Sequence, residues 1–96
     1  MRKLIRDKLD MVIPENELEF VKDEHEHLIM LLAKLDEELA ELAFEDFKDV
    51  TEYADVIEVL FALAKKHGID ENTIMSTRIE KKYEKGAFER GLILNR

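Results

Sequence analysis

The chain has 96 residues, 40% of them charged and 46% hydrophobic, with one proline, three glycines, no cysteine and a net charge of −8. That length bounds it to one domain, residues 1–96, with a modest core, and the composition fits a sharply amphipathic helical chain rather than a sheet or a disordered tail. Missing thiols exclude disulfides and thiolate metal sites, the acidic balance argues against nucleic-acid binding, and no apolar run spans a bilayer, so a cytoplasmic protein with neither nucleic-acid nor membrane partner is expected.

The charge is unevenly placed. Arg2, Lys3, Arg6 and Lys8 lie in the first eight positions and Arg78, Lys81, Lys82, Lys85, Arg90 and Arg96 after position 77, while positions 9–77 hold nineteen acids against five bases. An acidic centre between basic ends suits a cation held in the middle and an anion held by the ends, and equally a dimer joined by complementary charge.

Residues Met1–Ile13 run into Pro14, which disfavours helix before it, so they are expected to form an extended or irregular arm. A first helix is expected from about Glu15 to Phe44, with Asn16 as its N-cap, because Leu18, Val21, Leu28, Leu32, Leu35, Leu39 and Leu42 continue one stripe. His25 and His27, two apart, point to different sides and read as surface residues rather than metal ligands. Glu45–Asp49 breaks the pattern, Asp46 or Asp49 caps a second helix from Val50 to His67, and Gly68 closes it. Outside the sector of Thr51, Glu52, Asp55 and Glu58 this helix is apolar nearly all round, more than three helices of one chain can bury. A third helix is expected from Asp70 to Lys85, with Ile69 and Ile74 as a hydrophobic staple and Arg78, Lys81 and Lys85 on one face. Leu92–Leu94 reads as a strand or an extended tail. The expected fold is therefore all-α, an antiparallel helical bundle completed by oligomerisation, most simply a symmetric dimer forming a four-helix bundle, or a tetramer, with extended basic segments at both ends.

The carboxylates carry the chemistry. At about 100° per residue, Glu38 lies near the first helix's leucine stripe with Lys34, Glu41 and Glu45 just outside it, and Glu37 sits further round. On the second helix Glu52 projects along the stripe of Val56, Val59 and Leu63, with Asp55 to one side. The i,i+3 pairs Glu38/Glu41 and Glu52/Asp55 would together make a four-carboxylate pocket. Unpaired carboxylates at a core edge must be protonated, paired with a cationic side chain or bound to a cation, and oxygen-only donors on rigid helices suit Mg²⁺ or Mn²⁺.

The ordered set KLIRDKL, KLDEELAEL, EYADVIEVL and KKYEKGAFERGLIL resembles, over essentially the whole chain, the MazG-like branch of the all-α nucleoside triphosphate pyrophosphohydrolases, which also includes phosphoribosyl-ATP pyrophosphohydrolase. The E-E-x-x-E motif followed by E-x-x-D is the most specific part; Asp10 and Ala87 depart from residues common at their positions. The resemblance implies that Glu38, Glu41, Glu52 and Asp55 bind Mg²⁺, with Mn²⁺ as a substitute. It also implies that Glu37 and Glu38 act on the attacking water, and that Lys3, Arg6, Lys8, Lys81 and Lys85 contact phosphate. The implied reaction splits a nucleoside triphosphate between its α and β phosphates, giving a monophosphate and pyrophosphate, in clearance of the nucleotide pool. Phe20, Phe44, Phe47, Tyr53 and Phe88 are either pocket walls or plain core and interface residues. Two other readings stand beside this one: phosphoribosyl-ATP hydrolysis in histidine synthesis, and a non-catalytic helical oligomer or partner-binding module whose acids are a solvated face.

Overall fold

In the computed structural model, which describes residues 2–96, three α-helices each begin at an aspartate whose side chain caps a free N–H. Asp23 accepts from the Glu26 amide at 2.8 Å to start α1 (Glu24–Phe44), Asp49 from Thr51 at 2.9 Å to start α2 (Val50–Lys66), and Asp70 from Thr73 at 2.8 Å to start α3 (Glu71–Lys85). Among the described residues there is no strand, so Leu92–Leu94 belongs to an irregular tail.

α1 starts nine residues later than the leucine stripe led us to expect. Residues Glu15–Glu17 form only a 3₁₀ turn, Leu18 after it is extended, the residues from there to Asp23 are not helical, and Asn16 caps nothing. Between Val21 and Leu28 the sequence KDEHEH offers no apolar side chain to carry the stripe. It does contain a strong start signal, because Asp23 takes the Glu26 N–H while Glu26 reaches back to the Lys22 N–H at 3.0 Å.

The turn between α1 and α2 is tight and strained. The Asp46 and Phe47 amides bond back to Ala43 and Leu42, closing α1, and both residues take positive φ, 55° and 61°. Left-handed conformations at two non-glycine residues cost on the order of 1–2 kcal/mol each, and the Tyr53 hydroxyl, donating to the Phe47 carbonyl at 2.9 Å, helps hold them. The result is an antiparallel hairpin in which Lys66 at the end of α2 meets Glu24 at the start of α1 at 3.1 Å. Just past Lys66 and this C-terminal end of α2, Gly68 supplies positive φ at the expected position, with its own amide and that of Ile69 bonded to Lys65 and Ala64.

Leu31 and Leu42 of α1 and Val59 of α2 are the buried apolar residues of the hairpin seam. Among the described residues, α1 and α2 are the only helices with extensive mutual contact; α3 and the segment after it extend from the hairpin without burying a side chain. Among the described residues no helix is long and apolar enough to cross a membrane.

The arm before α1 is mostly irregular, with 3₁₀ turns at Asp7–Met11 and Glu15–Glu17, and lies along one side of the hairpin. Its cations reach the helices and the segment before them: Arg2 pairs with Glu19 at 2.6 Å and Glu26 at 3.4 Å, Lys3 with Glu37 at 3.6 Å, and Arg6 with Asp55 at 2.7 Å. These pairs are partly exposed, so each is worth about 0–1 kcal/mol and the arm is held lightly.

Candidate functional site

Helical periodicity puts two carboxylates where leucine or valine would be expected. Glu38 is seven residues after Leu31 and four before Leu42, so it shares their inward stripe and is only 5% exposed. Glu52 is seven residues before Val59 and faces α1 in the same way. One oxygen of each, Glu38 Oε2 and Glu52 Oε2, is buried without a hydrogen-bond partner.

Asp55, one turn after Glu52, completes a group: one oxygen each from Glu38, Glu52 and Asp55 lies within 4.8 Å of the other two. A second group with the same spacing joins Glu37, Glu38 and Glu41, and Glu38 belongs to both. The four expected ligands therefore sit in one neighbourhood as two overlapping triads. Glu41 is the exposed outer member and is linked to the others through Glu38.

Cations line one side of this cluster. The Lys34 ammonium lies 3.3 Å from Glu38 Oε1 and 3.4 Å from Glu37 Oε2, and the Arg6 guanidinium binds Asp55 Oδ1. Among the described residues Glu52 has no such counter-charge. Burial pushes the Glu38 carboxyl above its ordinary value, with Glu41 and Asp55 adding to the rise and Lys34 opposing it. Glu52 is raised by burial first, then by the charges of Glu41, Asp55, Glu38 and Asp49, with nothing opposing. Burial alone would lower the Lys34 ammonium, but Glu38 and Glu37 more than reverse that. Arg6 is raised mainly by its hydrogen bond to Asp55.

A cleft of about 1080 Å³ opens between the arm and the hairpin. Leu31, Val59 and Ala62 line it together with Glu38 and Asp55, while Lys66 and Ile69 lie further along. Arrays of oxygen donors with buried, unpartnered oxygens fit a hard divalent cation, since such an ion replaces the missing partners with several oxygen bonds.

The expected phosphate contacts divide. Lys3 and Arg6 reach acids of the cluster, whereas Lys8 stands exposed on the 3₁₀ turn and Lys81 and Lys85 stand exposed on α3, lining neither this cleft nor the smaller one beside Lys3. Of the aromatic candidates, Phe20, Phe44, Phe47, Tyr53 and Phe88 are all exposed and none lines the cleft; Phe61 does. Sequence reasoning gave Lys34 no role in the site. Its spacing of three and four residues from Glu37 and Glu38 was the available signal.

Comparison of the chain with protein-family models, with curated proteins and with solved structures gives no match.

Proposed function

We propose that this chain is a Mg²⁺-dependent nucleoside triphosphate pyrophosphohydrolase that cleaves the α–β phosphoanhydride, releasing a nucleoside monophosphate and pyrophosphate, in cytoplasmic clearance of the nucleotide pool. The observation that carries this reading is the pair of buried, unpartnered oxygens of Glu38 and Glu52 converging with Asp55. Keeping three carboxylates together without a counter-ion at Glu52 is unfavourable, which makes a cation-binding role a better account than a structural one.

Glu38, Glu52 and Asp55 would hold the ion, Mg²⁺ or in its place Mn²⁺, with Glu41 adjoining through Glu38. When bound, it supplies positive charge against the phosphates and the departing pyrophosphate. The protein's own groups do the rest. Water attacks phosphorus in line, the bridging P–O bond breaks, pyrophosphate leaves with the bond's electrons, and a carboxylate takes the water's proton. Glu37, held by Lys34 and Lys3, would orient that water, and Glu38 would accept its proton. Arg6 at the cleft edge, and Lys3 beside the smaller cleft, would provide cations for phosphate oxygens. Apolar walls at Leu31, Val59 and Ala62 suit a sugar or base more than a second phosphate group.

The test is pyrophosphate release from a panel of common, deoxy and base-modified nucleoside triphosphates and phosphoribosyl-ATP, each with Mg²⁺, with Mn²⁺ and with chelator. Release that needs the metal is expected from at least one triphosphate. Release from phosphoribosyl-ATP alone would move the reaction to histidine synthesis, and none from a folded protein would leave the acids as part of a non-catalytic module.

A further inference from the structure

Among the described residues three cations of the arm form ion pairs, and two of them end on the carboxylate cluster. Lys3 reaches Glu37 at 3.6 Å and Arg6 reaches Asp55 at 2.7 Å, one contact on each of the two triads. Leu4 and Ile5 between them are half-buried, and residues 4–7 form the arm's side of the larger cleft. Arg2 ties the chain further back, to Glu19 and Glu26, which belong to neither triad. The segment that borders the cleft is thus held by the same acids that the cleft offers to a cation.

Lys34 and Arg6 are the counter-charges of Glu38, Glu52 and Asp55, and they are held very differently. Lys34 stands on α1 one turn before Glu38, with its side chain 18% exposed, and the helix fixes it against Glu37 and Glu38. Arg6 is 58% exposed on an arm whose backbone hydrogen bonds are all local. A divalent ion on the triad would stand one carboxylate away from its guanidinium. Even at the dielectric of water, two positive charges repel a third at that separation by at least as much as a half-exposed ion pair holds. Metal and arm therefore compete through Asp55, and the lightly held partner yields. The coupling is reciprocal: the factor by which the metal loosens the arm is the factor by which the arm weakens the metal.

We propose that Arg6 is an exchangeable counter-ion of the cation site, which keeps the arm docked over the cleft through Asp55 until a divalent ion takes the triad, and then leaves so that residues 4–7 undock and the cleft opens. This rests on the cation-binding part of the proposed function and not on turnover. It also sets an order of events, because the guanidinium becomes free for a phosphate oxygen at the cleft edge only once the metal is in place.

Two measurements on the full chain test it. Mn²⁺ titration followed by electron paramagnetic resonance should show about two- to fivefold tighter binding in Arg6→Ala, the factor that an exposed ion pair carries. Arg6→Lys, which keeps the charge, should stay close to wild type, and Lys8→Ala, which removes an equal charge from an exposed position of the same arm, should change nothing. Because the chain has no cysteine, a Leu4→Cys variant reports the arm directly. Its thiol should react with an uncharged reagent several-fold faster in saturating Mg²⁺ than in chelator, and adding Arg6→Ala should make it fast in both. Unchanged or weaker Mn²⁺ binding in Arg6→Ala would make Arg6 a fixed orienting partner of Asp55, and a thiol no faster with Mg²⁺ would mean that the arm stays docked. Either result overturns the exchange while the cation site stands; a wild-type chain that takes up no Mn²⁺ overturns both.

Discussion

The α1–α2 hairpin and α3 begin the same way and end differently. All three helices start at a capping aspartate with glutamate in the first turn. α1 and α2 bury Leu31, Leu42 and Val59 against each other, while α3 leaves Tyr83 at 92% exposure, and Phe88 beyond it is fully exposed. Caps and dipoles decide where a helix begins and stops; a continuous apolar stripe decides whether it packs. The stripe also shows where function enters. Glu38 and Glu52 interrupt the strongest apolar stripes of the molecule, and a polar residue there is costly enough to call for a reason.

The largest test of this contrast is catalytic. Glu52→Gln or Asp55→Asn should lower kcat/KM for the proposed reaction by at least about 10²-fold with unchanged helicity by circular dichroism. Lys81→Ala with Lys85→Ala, on the exposed surface of α3 and lining neither cleft, should leave kcat and KM essentially unchanged. Full activity in both carboxylate variants would remove the site from the hairpin. Next comes packing. Leu42→Ala should cost about 3 kcal/mol in urea unfolding, and Tyr83→Ala no more than about 0.5 kcal/mol. A Tyr83→Ala cost as large as that of Leu42→Ala would mean that α3 is covered in solution, and the contrast between the two regions would fail.

Capping gives a smaller effect that separates the regions more finely. Asp23→Ala should lower global stability by about 1 kcal/mol. Asp70→Ala should raise amide exchange within α3 while leaving the hairpin amides unchanged. Equal changes in both regions would show α3 and the hairpin unfolding as one unit.

The smallest effect is pH linkage without metal. Glu38 and Glu52 hold their protons more tightly in the folded chain than their ordinary value of 4.5 allows. Across this interval the folded state carries more bound protons than the unfolded one, so their contribution is full below 4.5 and is lost as pH rises through the raised folded values. Asp49 and Asp70, held down by their capping bonds to Thr51 and Thr73, act in the opposite sense: their stabilisation is present above 3.8 and lost as pH falls through their lowered values. The melting temperature of chelated protein should therefore rise slightly on acidification from neutral toward 4.5, then fall below 3.8. Saturating Mg²⁺ should reduce or abolish the first rise. A chelated protein that only loses stability on acidification from neutral would contradict the unpaired state of Glu38 and Glu52.

Much of this was legible in the chain. The three-helix class, the ends of α2 and α3, the start of α3 at Asp70 and the stop at Gly68 follow from local signals whose physics acts within one turn, while the choice of Asp49 over Asp46 as the cap of α2 does not. The start of α1 was not, because Leu18 and Val21 imitate a stripe that KDEHEH cannot continue, and the Asp23–Glu26 start outweighs it. The inward angles of Glu38 and Glu52 were readable from their distances to Leu31, Leu42 and Val59. That one oxygen of each is left unpaired depends on which cations arrive from elsewhere, and no helical wheel specifies this. Arg6 reaching Asp55 across forty-nine residues is such a case.

The central claim is that the convergent carboxylates form a cation site, and Mn²⁺ titration followed by electron paramagnetic resonance addresses it without substrate. Wild-type chain should remove Mn²⁺ from the free-ion signal saturably, compete with Mg²⁺, and lose at least about tenfold in affinity on Glu52→Gln, the least expected for altering a metal ligand. Binding that is absent, or unchanged in Glu52→Gln, would contradict the account.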